Sequence, residues 1–176
     1  MSPLKPSLHR VKALVATPSG WFRGTFHVPG VQGFLTYLNH QEEVLKLTEA
    51  ILPGSKEPHP FLAIHKSATS LILPLEGLDP LNPGPANAAQ DLRLVTCLLP
   101  QGSIRGHLEL PQALRTSDFL MRKPGFVAFR RCYISPNPYL PPQEITDQAF
   151  PLIFLNTHSL VATTEEVEIP VRTRDA

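Results

Sequence analysis

The chain has 176 residues, a formal net charge of +1 and a hydrophobic fraction of 42%. This hydrophobic content allows a packed core and excludes a globally disordered chain. The near-neutral charge gives no electrostatic reason to expect binding to nucleic acid or to an anionic membrane. The 20 prolines argue against long helices and favour short strands joined by rigid turns.

The first residues and the cysteines bear on cellular location. No apolar segment typical of a signal peptide follows Met1, and no run of about 18 apolar residues occurs, so we expect no membrane span. The 2 cysteines, Cys97 and Cys132, are too few for a disulfide framework. We therefore expect a cytoplasmic protein whose thiols are free and buried.

Residues 9–76 show the pattern of a small β-rich module. Strands are indicated by β-branched and aliphatic runs, and turns by proline and glycine. The predicted elements are strands over 9–17 and 21–28, a helix over 31–40, a strand over 44–52, a loop over 53–60, and a hairpin that turns near 66–68. The predicted order is therefore β-β-α-β-β-β.

The second predicted strand has a clear alternation of side chains. Phe22, Gly24, Phe26 and Val28 share one face, which we expect to point into the core. Gly24 lies in the middle of this strand, and a glycine there indicates a β-bulge or a close backbone approach.

Residues 77–91 are rich in proline and poor in apolar side chains, so we predict a linker there. The pattern then restarts in a second module over 92–170. Its predicted elements are strands over 92–99 and 103–110, a helix over 114–121 with Thr116 or Ser117 as N-cap, a strand over 125–134, a proline-rich loop over 135–148, a closing hairpin over 150–164, and an edge strand in the tail that follows.

A heptapeptide links the two modules. P-S-G-W-F-R-G at 18–24 recurs as P-Q-G-S-I-R-G at 100–106, and a repeated motif at a fixed offset indicates an internal duplication. We expect Gly24 and Gly106 to occupy equivalent backbone positions. The predicted fold class is mainly β (α+β), with two tandem modules, each a bent five-stranded sheet or an open barrel of SH3- or Sm-like size. We expect the two modules to pack as a pseudo-twofold pair.

The second copy resembles an uncharacterised family of small bacterial domains. The resemblance rests on the strand G-H-L-E-L-P over 106–111, the helix motif R-T-S-D-F-L over 115–120, and an apolar hairpin that ends in Asn156. The first copy keeps the strand but has Gly33 in place of Arg115 and Thr36 in place of Asp118. The resemblance implies a bacterial protein with this fold in two copies, and it implies no catalytic residue.

No motif predicts a catalytic, cofactor or metal site. The 7 histidines are scattered and show no metal-ligand spacing. Neither a G-x-S-x-G motif nor a glycine-rich phosphate loop occurs. Cys97 or Cys132 together with His107 or His158 is a conceivable nucleophile and base. However, the apolar strand around Cys97 favours a core thiol.

Six residues are candidates for binding a protein partner. Arg23 and Arg105 each lie beside a glycine, either covering apolar surface or binding a carboxylate or phosphate in a bidentate manner. Arg115 and Asp118 have the spacing of neighbours on a helix, and form either an ion pair or an anchor for a partner.

Tyr139 and Leu140 lie in the proline-stiffened loop over 135–148. This loop is the largest departure between the copies, and we expect it to contact either the first module or a partner.

The predicted function is that of a non-enzymatic binding or scaffold protein of the bacterial cytoplasm, acting through protein–protein interaction. The absence of catalytic motifs, the sheet edges and the bivalence created by duplication support this prediction. Two alternatives remain: a nucleic-acid-binding small barrel, and an enzyme with a cleft between the modules. We expect a protein partner or a homo-oligomer formed through sheet edges.

Overall fold

Ten strands of a computed structural model form an antiparallel sheet, and two short helices cover it, so the fold is mainly β. The structure describes residues 7–30, 32–40, 42–76, 90–122, 125–136 and 149–166. The strands are β1 Leu8–Thr17, β2 Gly20–Pro29, β3 Val44–Ile51, β4 Pro58–His65, β5 Leu71–Glu76, β6 Gln90–Leu99, β7 Gly102–Pro111, β8 Phe126–Pro136, β9 Ala149–Asn156 and β10 Ala162–Glu165. The helices are α1 Phe34–Leu38 and α2 Thr116–Arg122, and 3₁₀ turns span Lys66–Ala68 and Thr157–Ser159.

Several predicted elements are wrong. The two predicted hairpins, one turning near 66–68 and one over 150–164, do not form: β4 pairs with β3, β5 with β1 and β9, and β10 with β6. The first helix spans only Phe34–Leu38 of the predicted 31–40. β4 begins at Pro58 inside the predicted loop, since an outer strand tolerates prolines that cannot donate hydrogen bonds. β6 begins at Gln90 inside the predicted linker, because its pairing with Pro111 extends the hairpin; residues 77–89 lie outside the described residues. α2 begins at Thr116, so neither Thr116 nor Ser117 precedes the helix as its N-cap. Instead, the Thr116 hydroxyl donates to a Glu165 carboxylate oxygen at 2.7 Å.

The two halves of the sheet, residues 8–76 and 90–166, have the same strand order. The full order is β10-β6-β7-β8-β9-β5-β1-β2-β3-β4, so each half places its fifth strand beside its first. The halves join head to tail, with β9 against β5. Every neighbouring pair of strands is antiparallel, and equivalent strands lie five places apart in the sheet. Equivalent strands of the two halves therefore run in opposite directions. A half turn combined with a shift therefore relates the halves, whereas the expected pseudo-twofold pair would bring like strands together.

The same β-bulge occurs in both halves. Arg23 pairs with Ile51 and Thr25 with Thr48, and the register shifts between them. The corresponding shift separates the pairs Arg105–Tyr133 and His107–Arg130. The bulged residues Glu49 and Arg131 have φ values of 51° and 50°, a left-handed conformation that is uncommon outside glycine.

Gly24 and Gly106 occupy equivalent positions beside these bulges, as the repeat predicts. Gly24 pairs with Ala13 and Gly106 with Val95. A Cβ atom on Gly106 would lie 2.8 Å from Cys132 Sγ and 3.2 Å from the Arg130 carbonyl oxygen, so the close approach of β8 favours glycine here. Common descent of the two halves remains a prediction.

Two hydrophobic cores lie on opposite faces of the sheet, and each takes residues from both halves. The first core contains the interior of the first half with Phe34 and Leu38 of α1, and receives Phe126, Leu152 and Phe154 from the second half. The second core contains the interior of the second half with Leu120 of α2, and receives Leu14, Ala16, Leu71 and Leu73 from the first half. Strands β1, β5 and β9 are consequently buried on both faces. Neither half completes its core alone.

Asparagine side chains hold the β5–β9 junction at one end. Asn156, only 2% exposed, donates from Nδ2 to the carbonyl oxygens of Lys66 and Thr69, both at 2.9 Å. Asn39 donates from Nδ2 to the Phe126 carbonyl at 2.9 Å and accepts from the Phe126 N–H at 2.7 Å. Each amide therefore connects one half to the backbone of the other.

The two asparagines predict unequal effects on stability. Asn156→Ala leaves buried carbonyl groups without their donor, so we expect a loss of about 3 kcal/mol in the free energy of unfolding. Asn39→Ala breaks two hydrogen bonds at an exposed residue, where water can replace the amide, and about 1 kcal/mol is expected. Urea unfolding measures both changes. Equal losses would contradict the assignment of Asn156 as a buried connection between the halves.

Candidate functional site

Arg105 has its carboxylate partner within the chain. Its Nε and Nη2 atoms donate to Glu166 Oε1 and Oε2 at 2.8 and 2.7 Å, and Thr96 donates to the same carboxylate at 2.8 Å. The hydrogen bonds from Arg105 and Thr96 lower the pKa of Glu166 from 4.5 to about 2. The bidentate contact predicted for Arg105 therefore fastens the end of β10 onto the hairpin of β6 and β7.

The other predicted residues do not gather into one site. Arg23 is half-buried on β2 in the first half. Arg115 is exposed before α2 and Asp118 is half-buried in its first turn; no ion pair joins them in the part of the chain that the structure describes. Tyr139 and Leu140 lie outside the described residues, so their role stays a prediction.

The cysteines are unsuited to nucleophilic chemistry. Both are free and buried, and Cys97 Sγ lies 3.7 Å from Thr163 Oγ1. Burial raises the pKa of Cys97 to about 11 and that of Cys132 to about 12. Both thiols are thus protonated at neutral pH, when a nucleophile would need to be a thiolate.

An open groove lies between α2 and the chain that leads into β10. We call it the end groove. Its volume is about 340 Å³, and its lining residues are Ser117, Leu120, Met121, Thr157, His158, Leu160, Val161, Ala162 and Thr163. Met121 is 84% exposed and Val161 67% exposed. Beside the groove, β10 pairs with β6 and has no second neighbouring strand among the described residues.

The end groove is equivalent to a surface that is occupied in the first half. Leu98 pairs with Ala162 as Ala16 pairs with Leu71, and Cys97 pairs with Thr163 as Val15 pairs with Ile72. In the first half, Leu71 and Ile72 pair with Leu155 and Phe154 of β9. The outer edge of β10 therefore corresponds to the edge of β5 that pairs with β9.

Side chains at the groove differ from their counterparts in a consistent way. Asn39, whose side chain bonds Phe126 of the second half, is replaced by Met121, and Ser70, whose hydroxyl donates to the Ala16 carbonyl, is replaced by Val161. Leu71 and Ile72 are replaced by the smaller Ala162 and Thr163. The end groove consequently has exposed apolar side chains and open space where the first half has a packed junction.

A second cavity, the junction cleft, opens where the two halves meet. Its volume is about 450 Å³, and its lining residues are Leu38, Asn39, His40, Glu42, Glu43, His65, Lys66, Ser67, Gly125, Phe126, Asn156 and His158. Lys66 donates to the His40 carbonyl, and burial lowers the pKa of Lys66. Glu42 pairs with Lys46 at 3.0 Å, and this hydrogen bond lowers the pKa of Glu42.

The described residues contain no group of three His, Cys, Asp or Glu side chains placed to hold a metal ion. In the junction cleft, Asn39, Lys66 and Asn156 instead bond backbone groups. Sequence reasoning missed both cavities, because the residues that line each one come from elements far apart in the sequence.

Comparisons with protein-family models, curated proteins and solved structures found no match to this chain. The resemblance to a family of small bacterial domains therefore stays a prediction. Of the helices in the described ranges, neither is long and apolar enough to cross a membrane.

The Glu166 carboxylate predicts an acid-dependent loss of stability. Because its folded-state pKa lies below its ordinary value, its contribution is present above pH 4.5 and is lost as the pH falls towards about 2. Glu166→Gln should therefore flatten the decline in unfolding free energy across this interval, as measured by urea unfolding at several pH values. Glu76→Gln is the control, because Glu76 bonds only Lys12 on the surface and should flatten the decline less. An unchanged profile in Glu166→Gln would contradict the assignment.

Proposed function

We propose that the chain is a non-enzymatic binding or scaffold protein that acts through protein–protein interaction, with the end groove as its binding surface. One observation carries the proposal: the groove is the open counterpart of the surface on which the first half binds β8 and β9 of the second. The equivalent surface of the first half already binds a strand of this chain, β9.

The groove favours a partner that presents an extended apolar segment. The outer edge of β10 offers main-chain donors and acceptors, which an added strand can pair. Met121 and Val161 offer apolar contact at the side of that strand, and exposed large apolar side chains clustered in one place are typical of interaction sites. A strand with alternating apolar side chains satisfies both features.

The alternatives receive unequal support. Among the described residues, the lining of the end groove includes no Lys or Arg, so these residues offer no Lys or Arg charge to the phosphates of a nucleic acid. The junction cleft supports a second candidate, an enzyme or binder with a small polar ligand between the halves, because polar side chains from both halves line it. The free thiols support the proposed location in a bacterial cytoplasm.

A peptide with the sequence of residues 149–156 tests the proposal, since β9 is the strand that the equivalent surface binds. We expect the fluorescein-labelled peptide, extended by lysines for solubility, to bind the full chain saturably in fluorescence anisotropy. Val161→Lys should weaken binding by about tenfold, equivalent to about 1.4 kcal/mol.

Leu92→Lys is the matched control for this experiment, since Leu92 is an exposed leucine on β6 that does not line the groove. It should bind the peptide as the unmodified chain does. Absence of saturable binding, or equal binding by the two variants, would contradict the proposed function.

A further inference from the structure

We infer that the partner of the end groove is a second copy of this chain, which inserts its β4 edge beside β10. This inference rests on the proposed function and identifies the partner. A strand equivalent to β9 would fill the place beside β10, and the first half contains such a strand, β4.

β4 is the equivalent of β9 in register. Val44 pairs with His65 and Leu45 with Ile64, as Phe126 pairs with Asn156 and Val127 with Leu155. β4 lies at the far end of the sheet, and β3 is its one neighbour among the described strands. A second copy therefore offers Ile64 and Ala63 to β10 where β9 offers Leu155 and Phe154 to β5.

The prolines of β4 are compatible with this pairing. Proline on an edge strand normally blocks the addition of another strand, and β4 contains Pro58 and Pro60. However, β9 has Pro151 at the position equivalent to Pro60, and its ladder with β5 is confined to the pairs Leu71–Leu155 and Ile72–Phe154. An equally short ladder between β10 and β4 uses Ala63 and Ile64 and ends before Pro60.

Exposed apolar side chains mark both ends of the sheet. At the β10 end, Leu98 is 47% exposed, whereas its counterpart Ala16 is buried by the second half. On β4, Phe61 is 57% exposed, whereas its counterpart Leu152 is buried in the first core. Ala16 and Leu152, which the junction buries, thus correspond to the exposed apolar residues Leu98 and Phe61 at the two ends of the sheet.

The contact is heterologous, because a groove on one copy meets an edge strand on the next. Each copy keeps one free groove and one free β4 edge, so association is open-ended and its extent rises with concentration. The β10 end also carries Thr96 and Thr164 where the junction has Leu14 and Leu73. We therefore expect a weaker and reversible version of the internal junction.

Sedimentation velocity of the full chain with two surface variants tests the inference. Val161→Lys blocks the groove and leaves β4 intact, whereas Phe61→Lys blocks β4 and leaves the groove intact. The unmodified chain should form a concentration-dependent series of species up to about 1 mM, and each variant alone should stay monomeric. An equimolar mixture of the two variants should form complexes of two chains and no larger species, because only one interface of the pair remains functional.

Both substitutions are at exposed positions, and circular dichroism and thermal unfolding check that the variants fold. Leu92→Lys is the control and should associate like the unmodified chain. A monomeric unmodified chain, undiminished association in both variants, or a mixture that stays monomeric would each overturn the inference. If self-association is absent while the 149–156 peptide binds, the proposed function stands and this inference fails; if the peptide also fails to bind, both fail.

Discussion

The pairing of β5 with β9 is the contact on which the rest of the structure depends. Its ladder is short, with Leu71 opposite Leu155 and Ile72 opposite Phe154, yet it joins ten strands into one sheet. Because alternate side chains of these strands point to opposite faces, Ile72 enters the first core and Leu71 enters the second. One short contact thus completes two cores, and hydrophobic burial rather than hydrogen-bond number provides its strength.

This junction also explains why the ends of the molecule differ from its middle. In the head-to-tail arrangement, the fifth strand of the first half, β5, pairs with the fourth strand of the second half, β9. The corresponding strands β10 and β4 are left at the two ends of the sheet. The exposed edges carry features that limit uncontrolled pairing: prolines on β4, and Glu165 and Glu166 at the end of β10. Between those features, the end groove remains open and exposes Met121 and Val161. The proposed function and the proposed self-association both follow from this asymmetry.

Local patterns predicted much of each half, and non-local contacts explain the remainder. Alternation in β2 and β7, the turn after Pro18 and the glycines of the repeat are local signals. The β5–β9 pairing joins residues far apart in sequence, and no local signal encodes it. For the same reason, sequence reasoning left open whether Arg105 covers apolar surface or binds a carboxylate of a partner, because Glu166 lies beside it only when β10 folds onto β6. Asn156 likewise acts through the backbone of the other half.

Residue-level hydrogen–deuterium exchange of the full chain at low concentration tests the central claim most directly. If the junction completes both cores, its amides are released only when the whole sheet unfolds. We predict that amides of β5 and β9 exchange with the same opening free energy as amides of β2 and β7 within the halves. An opening of β5 and β9 at markedly lower free energy, with either half still protected, would show that the halves are independent and would contradict the account.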